Sequence, residues 1–352
     1  MKNRLPKDFC NLKFKTAVKN WDEALPLGNG FLGCLIWGDS DELRMSLDRG
    51  DLWDKTPCPV VLREDFTYQT LVDMAKRGDA DAYREIFNAP YDYPTPTKLP
   101  AGKLIFKFKE AGKVSSELDL ATAEAGVTIA APSGDISLKS YLHAEEQIGF
   151  IRIDAPKSAF HVSIRNPKFG EKSDAEVSPE AAMQVNCGSL ERLHYPAPEY
   201  GKEGSLEWFV QSIDDNMAYG IVFAQEEKNG KTYLAYTVAC SLDGDNWLEN
   251  AKKQVYQAVF AYEERFRSHA AWWEEYWSHS CVRLPDPLFE KNWYLSNYLF
   301  GSCSRKGFPP MPLQGVWTAD NGELPPWKGD YHHDLNTQMC YYHYLKANHM
   351  EG

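Results

Sequence analysis

The sequence lacks any long apolar segment. No run approaches the roughly eighteen apolar residues that a membrane-spanning helix needs. The chain opens with Lys2, Arg4 and Lys7, but the apolar stretch of a secretory signal does not follow them. The sequence therefore predicts no membrane span and no membrane partner, and we expect a cytoplasmic protein.

Paired cysteines are also absent. The eight cysteines stand singly, with no Cys-x-x-Cys pair and no regular spacing, at positions 10, 34, 58, 187, 240, 281, 303 and 340. Common zinc sites use close pairs of ligands, so this pattern predicts no zinc site. A disulfide framework is typical of chains too small to build a core. We expect reduced cysteines that are mostly buried.

Basic residues are fewer than acidic residues. The chain has 38 Lys and Arg against 50 Asp and Glu, which gives a net charge of −12. A surface with this balance does not attract polyanions, so the sequence predicts no nucleic-acid partner. No basic cluster suited to phosphate stands out either. The charge pattern favours a neutral ligand.

Aromatic residues, in contrast, are abundant. They form 13% of the sequence and include eleven tryptophans, while hydrophobic residues form 43%. Tryptophan suits both sugar-stacking sites and thick cores. Because 352 residues exceed what one hydrophobic core usually supports, we predict two domains.

The first two thirds of the chain read as strands. Short apolar or alternating runs separated by turn signals recur at 103–108, 126–131, 136–141, 148–153, 160–164, 220–224 and 232–239. This pattern of short strands separated by turns predicts an antiparallel sandwich. One helix is predicted over 70–87, followed by an extended loop over 88–96, where three prolines remove backbone donors.

The last third reads as helical. No proline or glycine occurs from Leu248 to Trp277, which predicts a helical connector, and a further helix is predicted over 288–303. Five side chains at helical spacing share one face of the connector: His269, Trp272, Trp273, Tyr276 and Trp277. We interpret this face as a buried aromatic seam that docks two domains, with a direct ligand role as the alternative.

A G-x-G-x-x-G pattern occurs at Gly28, Gly30 and Gly33. A dinucleotide site would need a strand before these glycines and a helix after them. Pro26 argues against the preceding strand, and residues 31–37 read as a strand instead of a helix. We predict that the glycines form a turn feeding a strand.

Residues 325–338 contain the highest density of polar and aromatic side chains suited to a binding or catalytic site. Within fourteen residues they hold two carboxylates, two adjacent imidazoles, two amides, an indole and a phenol. Six side chains in and near this stretch are candidates for contacts with a sugar: Trp317, Trp327, Asp330, Tyr331, His332 and Gln338. For the tryptophans and His332, packing against the strand-rich domain is the alternative.

A metal cluster is a second interpretation of this stretch. It would use Asp330, His332, His333, Asp334 and His343. Their spacing matches no common zinc or two-histidine-one-carboxylate pattern, so we predict no metal and no other cofactor.

Several motifs together resemble one known family. Residues 21–30 (WDEALPLGNG), 313–317 (LQGVW), 325–327 (PPW) and 334–339 (DLNTQM) are similar, in this order, to the signatures of glycoside hydrolase family 95. That family comprises inverting α-L-fucosidases and related α-L-galactosidases. The matches lie near both ends of the chain, which makes them more specific than any single motif.

The resemblance implies a domain plan. Residues 1–245 would form an antiparallel β-supersandwich, 246–284 a helical linker, and 285–352 the beginning of an (α/α)6 barrel. Only about two helices of ordinary length fit after Leu288. We therefore expect an incomplete barrel, with the family's general acid, a glutamate, lying beyond residue 352.

The resemblance also implies which residues hold the attacking water. The family motif has two asparagines, and this chain has Asp334 and Asn336 at those positions. Residues two apart in an extended segment point the same way, so we expect both to face one water. A carboxylate at 334 can itself act as a base.

The predicted function is hydrolysis of α-linked L-fucosyl or related residues with inversion, on an oligosaccharide or glycoside substrate. Two alternatives stay open. One is a non-catalytic carbohydrate-binding β-domain fragment, and the other is a glycoside phosphorylase.

Overall fold

A large antiparallel β-sheet domain comes first in the chain, and helices follow it. The computed structural model describes residues 4–169, 188–214 and 217–352. A nine-stranded sheet has the order β1-β8-β9-β10-β11-β16-β15-β14-β13, and a five-stranded sheet has the order β12-β7-β4-β3-β2. The pair β5-β6 stands apart from both sheets.

The strand bounds agree with the predicted apolar runs. They are β1 Leu12–Phe14, β2 Leu25–Gly28, β3 Leu32–Gly38, β4 Leu43–Arg49, β5 Trp53–Asp54, β6 Thr97–Lys98, β7 Gly102–Phe108, β8 Lys113–Asp119, β9 Glu124–Ala131, β10 Gly134–Leu142, β11 Gly149–Ile153, β12 Phe160–Arg165, β13 Glu199–Glu203, β14 Leu206–Ser212, β15 Ala218–Lys228 and β16 Lys231–Cys240. All seven runs singled out in the sequence lie on these strands, apart from Ile148, which immediately precedes β11.

The main core lies between the two large sheets. One continuous cluster joins Leu47 and Leu104 of the five-stranded sheet to Val127 and Ile151 of the nine-stranded sheet, all at most 1% exposed. The alternation of apolar and polar residues along each strand puts one face of each sheet into this cluster.

The helix bounds differ in part from those predicted. The helices are α1 Tyr68–Arg77, α2 Ala80–Tyr83, α3 Ala89–Asp92, α4 Trp247–Ala258, α5 Tyr262–Ser278, α6 Pro287–Cys303 and α7 Leu335–Ala347. The helix predicted over 288–303 is confirmed by α6. The single helix predicted over 70–87 is wrong, because Gly78 takes the left-handed φ of 70° and ends α1. The extended loop predicted over 88–96 is wrong at its start, where α3 places Pro90 in the first turn.

The connector is two helices instead of one. The chain turns between α4 and α5, where the Ala261 N–H donates to the Ala258 carbonyl at 2.7 Å. This turn lets both Val259 and Tyr262 enter a second buried cluster, on the outer face of the nine-stranded sheet. Burial of two nearby apolar side chains outweighs the continuity of one helix.

The aromatic seam on α5 packs as predicted. Trp273, Tyr276 and Trp277 are buried in the main core cluster with Tyr298 of α6. Trp277 Nε1 donates to the Leu120 carbonyl at 3.0 Å. These contacts attach the helices to the sheet domain, so the packing interpretation is confirmed for Trp273, Tyr276 and Trp277.

His269 of α5 is a buried histidine. It is 1% exposed, and its Nε2 lies 2.7 Å from the Thr122 carbonyl oxygen. Burial lowers the pKa of His269 to about 3. In the unfolded chain the imidazole becomes protonated below its ordinary pKa of about 6.5, whereas in the folded chain it stays neutral down to a much lower pH. His269 therefore opposes folding increasingly as the pH falls from about 6.5 to about 3.

We expect His269→Gln to flatten this pH dependence, because glutamine can keep the hydrogen bond without titrating. The free energy of unfolding of the unaltered protein is expected to fall by roughly 1 kcal/mol more per pH unit than that of the variant, between pH 6 and 4. Urea titrations at several pH values measure the difference. Parallel curves would contradict the assignment.

The glycine motif forms a hairpin pressed against α6. Asn29 closes the turn between β2 and β3: its Oδ1 accepts from Phe31 N and Leu32 N at 3.1 and 2.7 Å. The turn predicted from the glycines is therefore confirmed. The argument that Pro26 prevents a preceding strand is wrong, because β2 is an edge strand, where a residue without an N–H is tolerated.

Gly28 leaves room for the end of α6. A Cβ added there would overlap the carbonyl oxygen of Ser302, and the Gly30 N–H donates to the same oxygen at 2.8 Å. We expect Gly28→Ala to lower the free energy of unfolding by about 1–3 kcal/mol through overpacking. Gly126→Ala is the matched control, because a Cβ there meets nothing within 4 Å. Equal losses in urea titrations of the two variants would contradict the close-approach argument.

Other features are reported for the described residues only. Among them, no helix has the length and apolar character to cross a membrane. Cys10, Cys34, Cys58, Cys240, Cys281, Cys303 and Cys340 are free, with Cys281 and Cys340 exposed, and Cys187 lies outside the described residues. The domain boundaries at 245 and 284 and the (α/α)6 barrel stay predictions.

Candidate functional site

The candidate site lies on the loop between α6 and α7, and this loop is fixed to the sheet domain. Lys98 is fully buried, and its Nζ donates to the Val316 carbonyl at 3.0 Å and to Thr318 Oγ1 at 2.7 Å. The Thr318 N–H donates to Asp48 Oδ2 at 3.1 Å. Burial raises the pKa of Asp48 to about 7, although the Lys98 charge opposes the rise.

A second polar contact holds the loop a little further along. Asp320 accepts from Lys103 Nζ and from Ser46 Oγ, both at 2.5 Å. Ser46 in turn accepts from Trp37 Nε1 at 2.8 Å. These bonds connect the loop to strands β3, β4 and β7, so the sheet domain determines where the loop lies.

Trp317 packs against the sheet domain. Its Nε1 donates to the Leu27 carbonyl at 2.8 Å, and its ring lies against the buried cluster of Val18, Leu35 and Trp37. This is the packing alternative considered for Trp317, and its only N–H donor is occupied. Contact with a sugar stays a prediction for this residue.

Trp327 lies on a left-handed turn. Trp327, Lys328 and Gly329 have φ of 55°, 56° and 68°. This conformation costs roughly 1–2 kcal/mol for each non-glycine residue. It leaves the Trp327 ring 39% exposed and edge-on to the His332 ring, with 5.6 Å between centroids.

Asp330, Tyr331 and His332 follow the turn. His332 Nε2 lies 3.4 Å from Asp330 Oδ1. Burial raises the pKa of the Asp330 carboxyl above its ordinary value, against the opposing charges of His332 and Lys328. Tyr331 donates to the Pro310 carbonyl at 2.9 Å and stacks on Trp53 at 5.9 Å. Trp327 and the Asp330–His332 pair thus form one polar and aromatic surface.

Asp334, Asn336 and Gln338 lie at the start of α7 and are exposed. Asp334 is the N-cap residue, and within the described chain its carboxylate makes no capping hydrogen bond to α7. The expectation that residues 334 and 336 both lie on an extended segment is wrong, because Asn336 is helical and Asp334 is the N-cap residue. Their roles stay predictions.

No metal centre emerges from the described residues. No group of three His, Cys, Asp or Glu side chains there is arranged to hold an ion. His343, part of the metal interpretation, packs on Phe300 with 4.0 Å between ring centroids.

Several residues that support the site were not identified from the sequence. Lys98, Asp48 and Trp53 contact the loop from positions more than 200 residues earlier in the chain. A lysine on a short strand carries no local pattern that indicates burial and hydrogen bonds to a distant loop. Only the fold brings these residues to the loop.

Comparison with known proteins adds the family. Residues 12–245 match the profile described as Glycosyl hydrolase family 65, N-terminal domain, so this part belongs to that domain family. Residues 273–351, which include the loop and α7, match the profile described as Glycosyl hydrolase family 95 catalytic domain. This profile and the α-fucosidase names of two relatives support membership of glycoside hydrolase family 95. The resemblance seen in the sequence motifs is confirmed.

Two curated relatives are longer than this chain. Alpha-L-fucosidase 2 of Arabidopsis thaliana is 24% identical, covering 96% of this chain and 47% of the relative. Probable alpha-fucosidase A of Aspergillus oryzae is 21% identical, covering 94% and 52%. A solved structure described as a kojibiose phosphorylase from human microbiome has a TM-score of 0.49 and 10% identity, covering 90% and 39%. The chain spans about half the length of the two curated relatives.

Proposed function

We propose that this chain supplies the water side of the active site of an inverting α-L-fucosidase or a closely related glycosidase. The observation that carries the proposal is the overlap of two features on one stretch. The family 95 catalytic profile covers residues 273–351, and within it the exposed Asp334 and Asn336 start α7 a short way after the exposed Trp327 in the sequence. The named relatives support the α-L-fucosyl substrate.

The proposed chemistry follows from these side chains. Asp334 accepts a proton from the attacking water, and Asn336 holds that water from the first turn of α7. Trp327, Asp330, His332 and Gln338 contact the sugar, with the apolar face of the indole against the ring. Hydrolysis with inversion also needs a general acid roughly 6.5–9.5 Å from the base. We assign to this chain the residues that bind and activate the water, and not the general acid.

The test uses the full gene product that contains this chain. It is incubated, without phosphate, with nitrophenyl glycosides of α-L-fucose, α-L-galactose and β-D-galactose. We expect release of nitrophenol from the α-L-fucoside or the α-L-galactoside, with the β-anomer of the free sugar formed first, as seen by NMR. Formation of the α-anomer first would contradict inversion.

Two other outcomes correspond to the alternatives. Cleavage that requires phosphate and yields a sugar phosphate would identify a phosphorylase. Sugar binding without any cleavage would identify a carbohydrate-binding protein. Either result would overturn the hydrolase proposal.

A further inference from the structure

A long excursion of the sheet domain stands next to the candidate site. We call residues 55–96 the arm; it leaves the fold after β5, carries α1, α2 and α3, and returns at β6. At its root Trp53 pairs with Lys98, and Asp54 pairs with Thr97. The short β5-β6 ladder therefore closes the arm into a unit with a fixed base.

The arm is bonded to the left-handed turn that presents Trp327. Lys328 Nζ donates to the carbonyl oxygens of Pro90 and Tyr93 at 3.0 and 3.1 Å. At the root of the arm, Trp53 stacks on Tyr331 with 18° between the rings. The arm thus touches the loop at Lys328, and the strand at its root touches the loop at Tyr331, on the other side of Gly329.

The strained backbone of the turn sets the positions of the Trp327 and Lys328 side chains. Trp327 and Lys328 both hold positive φ, which is costly for residues with side chains. The conformation directs one side chain to the arm and leaves the neighbouring indole exposed. Strained backbone that the surrounding structure maintains is a feature of ligand-binding sites.

The part of the arm held by Lys328 offers a free aromatic ring. Tyr91 of α3 lies in sequence between the two carbonyl acceptors and is 65% exposed. Tyrosine combines an apolar face with a hydroxyl, which suits contact with a neutral sugar ring. Lys328 therefore ties an exposed tyrosine of the arm to an exposed tryptophan of the loop.

We propose that the arm recognises the sugar units beyond the terminal α-L-fucosyl residue, with Tyr91 as the stacking surface and Lys328 as the positioning residue. The ligand is a neutral oligosaccharide, in keeping with the net charge of −12. This inference rests on the proposed function, because it takes the Trp327 surface as the site of the terminal sugar.

The experiment compares a long and a short ligand on the full gene product. Titration calorimetry gives Kd for a neutral trisaccharide whose terminal α-L-fucosyl unit is linked through sulfur, which resists hydrolysis, and for methyl 1-thio-α-L-fucoside. For Tyr91→Ala and Lys328→Met we expect Kd of the trisaccharide to rise about three- to tenfold, the range expected for loss of an aromatic contact, and Kd of the methyl glycoside to stay the same.

Tyr68→Ala is the matched control, since Tyr68 is an 81% exposed tyrosine at the start of α1 on the same arm. It should change neither Kd. In hydrolysis of the oxygen-linked trisaccharide, Tyr91→Ala and Lys328→Met should raise KM and leave kcat unchanged.

Three results would overturn the proposal: unchanged trisaccharide binding in Tyr91→Ala, equal weakening of both ligands in both variants, or an equal effect of Tyr68→Ala. Binding is measured on ligands that are not cleaved. Binding through Tyr91 without cleavage of any glycoside would therefore contradict only the hydrolase function. A protein that binds neither ligand would refute both.

Discussion

Asp334→Ala is expected to reduce the rate of hydrolysis of the best nitrophenyl glycoside by a factor of roughly one hundred to ten thousand, the contribution typical of a positioned proton acceptor. The side chain is exposed at the N-terminus of α7 and makes no capping hydrogen bond within the described chain. Its removal should therefore leave the melting temperature nearly unchanged. Loss of activity without loss of stability is the combination to look for.

Asp334→Asn distinguishes two ways in which this residue can act. It restores the asparagine of the family motif, which positions water but does not accept its proton. If Asp334 is the base, the asparagine variant should lose activity as the alanine variant does. Asp135→Ala, which removes an exposed aspartate of β10, is the control and should retain full activity. Full activity in Asp334→Ala would show that the water site is elsewhere.

Lys98→Met is expected to lower the free energy of unfolding by about 3–5 kcal/mol at pH 8, because it leaves the buried Asp48 charge without a counter-charge. Both side chains are at most 1% exposed. The substitution also removes two hydrogen bonds to the loop, from Lys98 Nζ to Val316 and Thr318. Urea titration measures the loss.

The pH dependence and a second substitution isolate the charge effect. Burial raises the pKa of Asp48 to about 7, so at pH 5 the carboxyl is largely neutral and the cost of Lys98→Met should be smaller. Asp48→Asn combined with Lys98→Met should recover part of the loss at pH 8. An equal loss at both pH values, with no recovery in the double variant, would contradict an uncompensated charge as the cause.

Strand positions were predictable because alternation of apolar and polar residues is local. Residues 103–108 and 232–239 read as strands and lie on β7 and β16. The errors arose where the neighbours of a segment matter. Pro26 sits in a strand because β2 is at a sheet edge, which the sequence does not reveal.

The same limit applies to the candidate site. The sequence located residues 325–338 as a chemically rich stretch but read Asp334 and Asn336 as extended, whereas they begin a helix. Helix starts are the least certain part of such predictions when no side-chain cap is present.

The sequence by itself determined the strand-rich and helical parts, the buried aromatic face of α5 and, through its linear motifs, the family. Only the tertiary structure decided what these motifs touch. The glycines at 28 and 30 face the end of α6, Lys98 reaches the loop 218 residues later, and Lys328 reaches back 238 residues to the arm. Periodicity records which face of an element is buried, whereas the partner that covers it depends on the path of the whole chain.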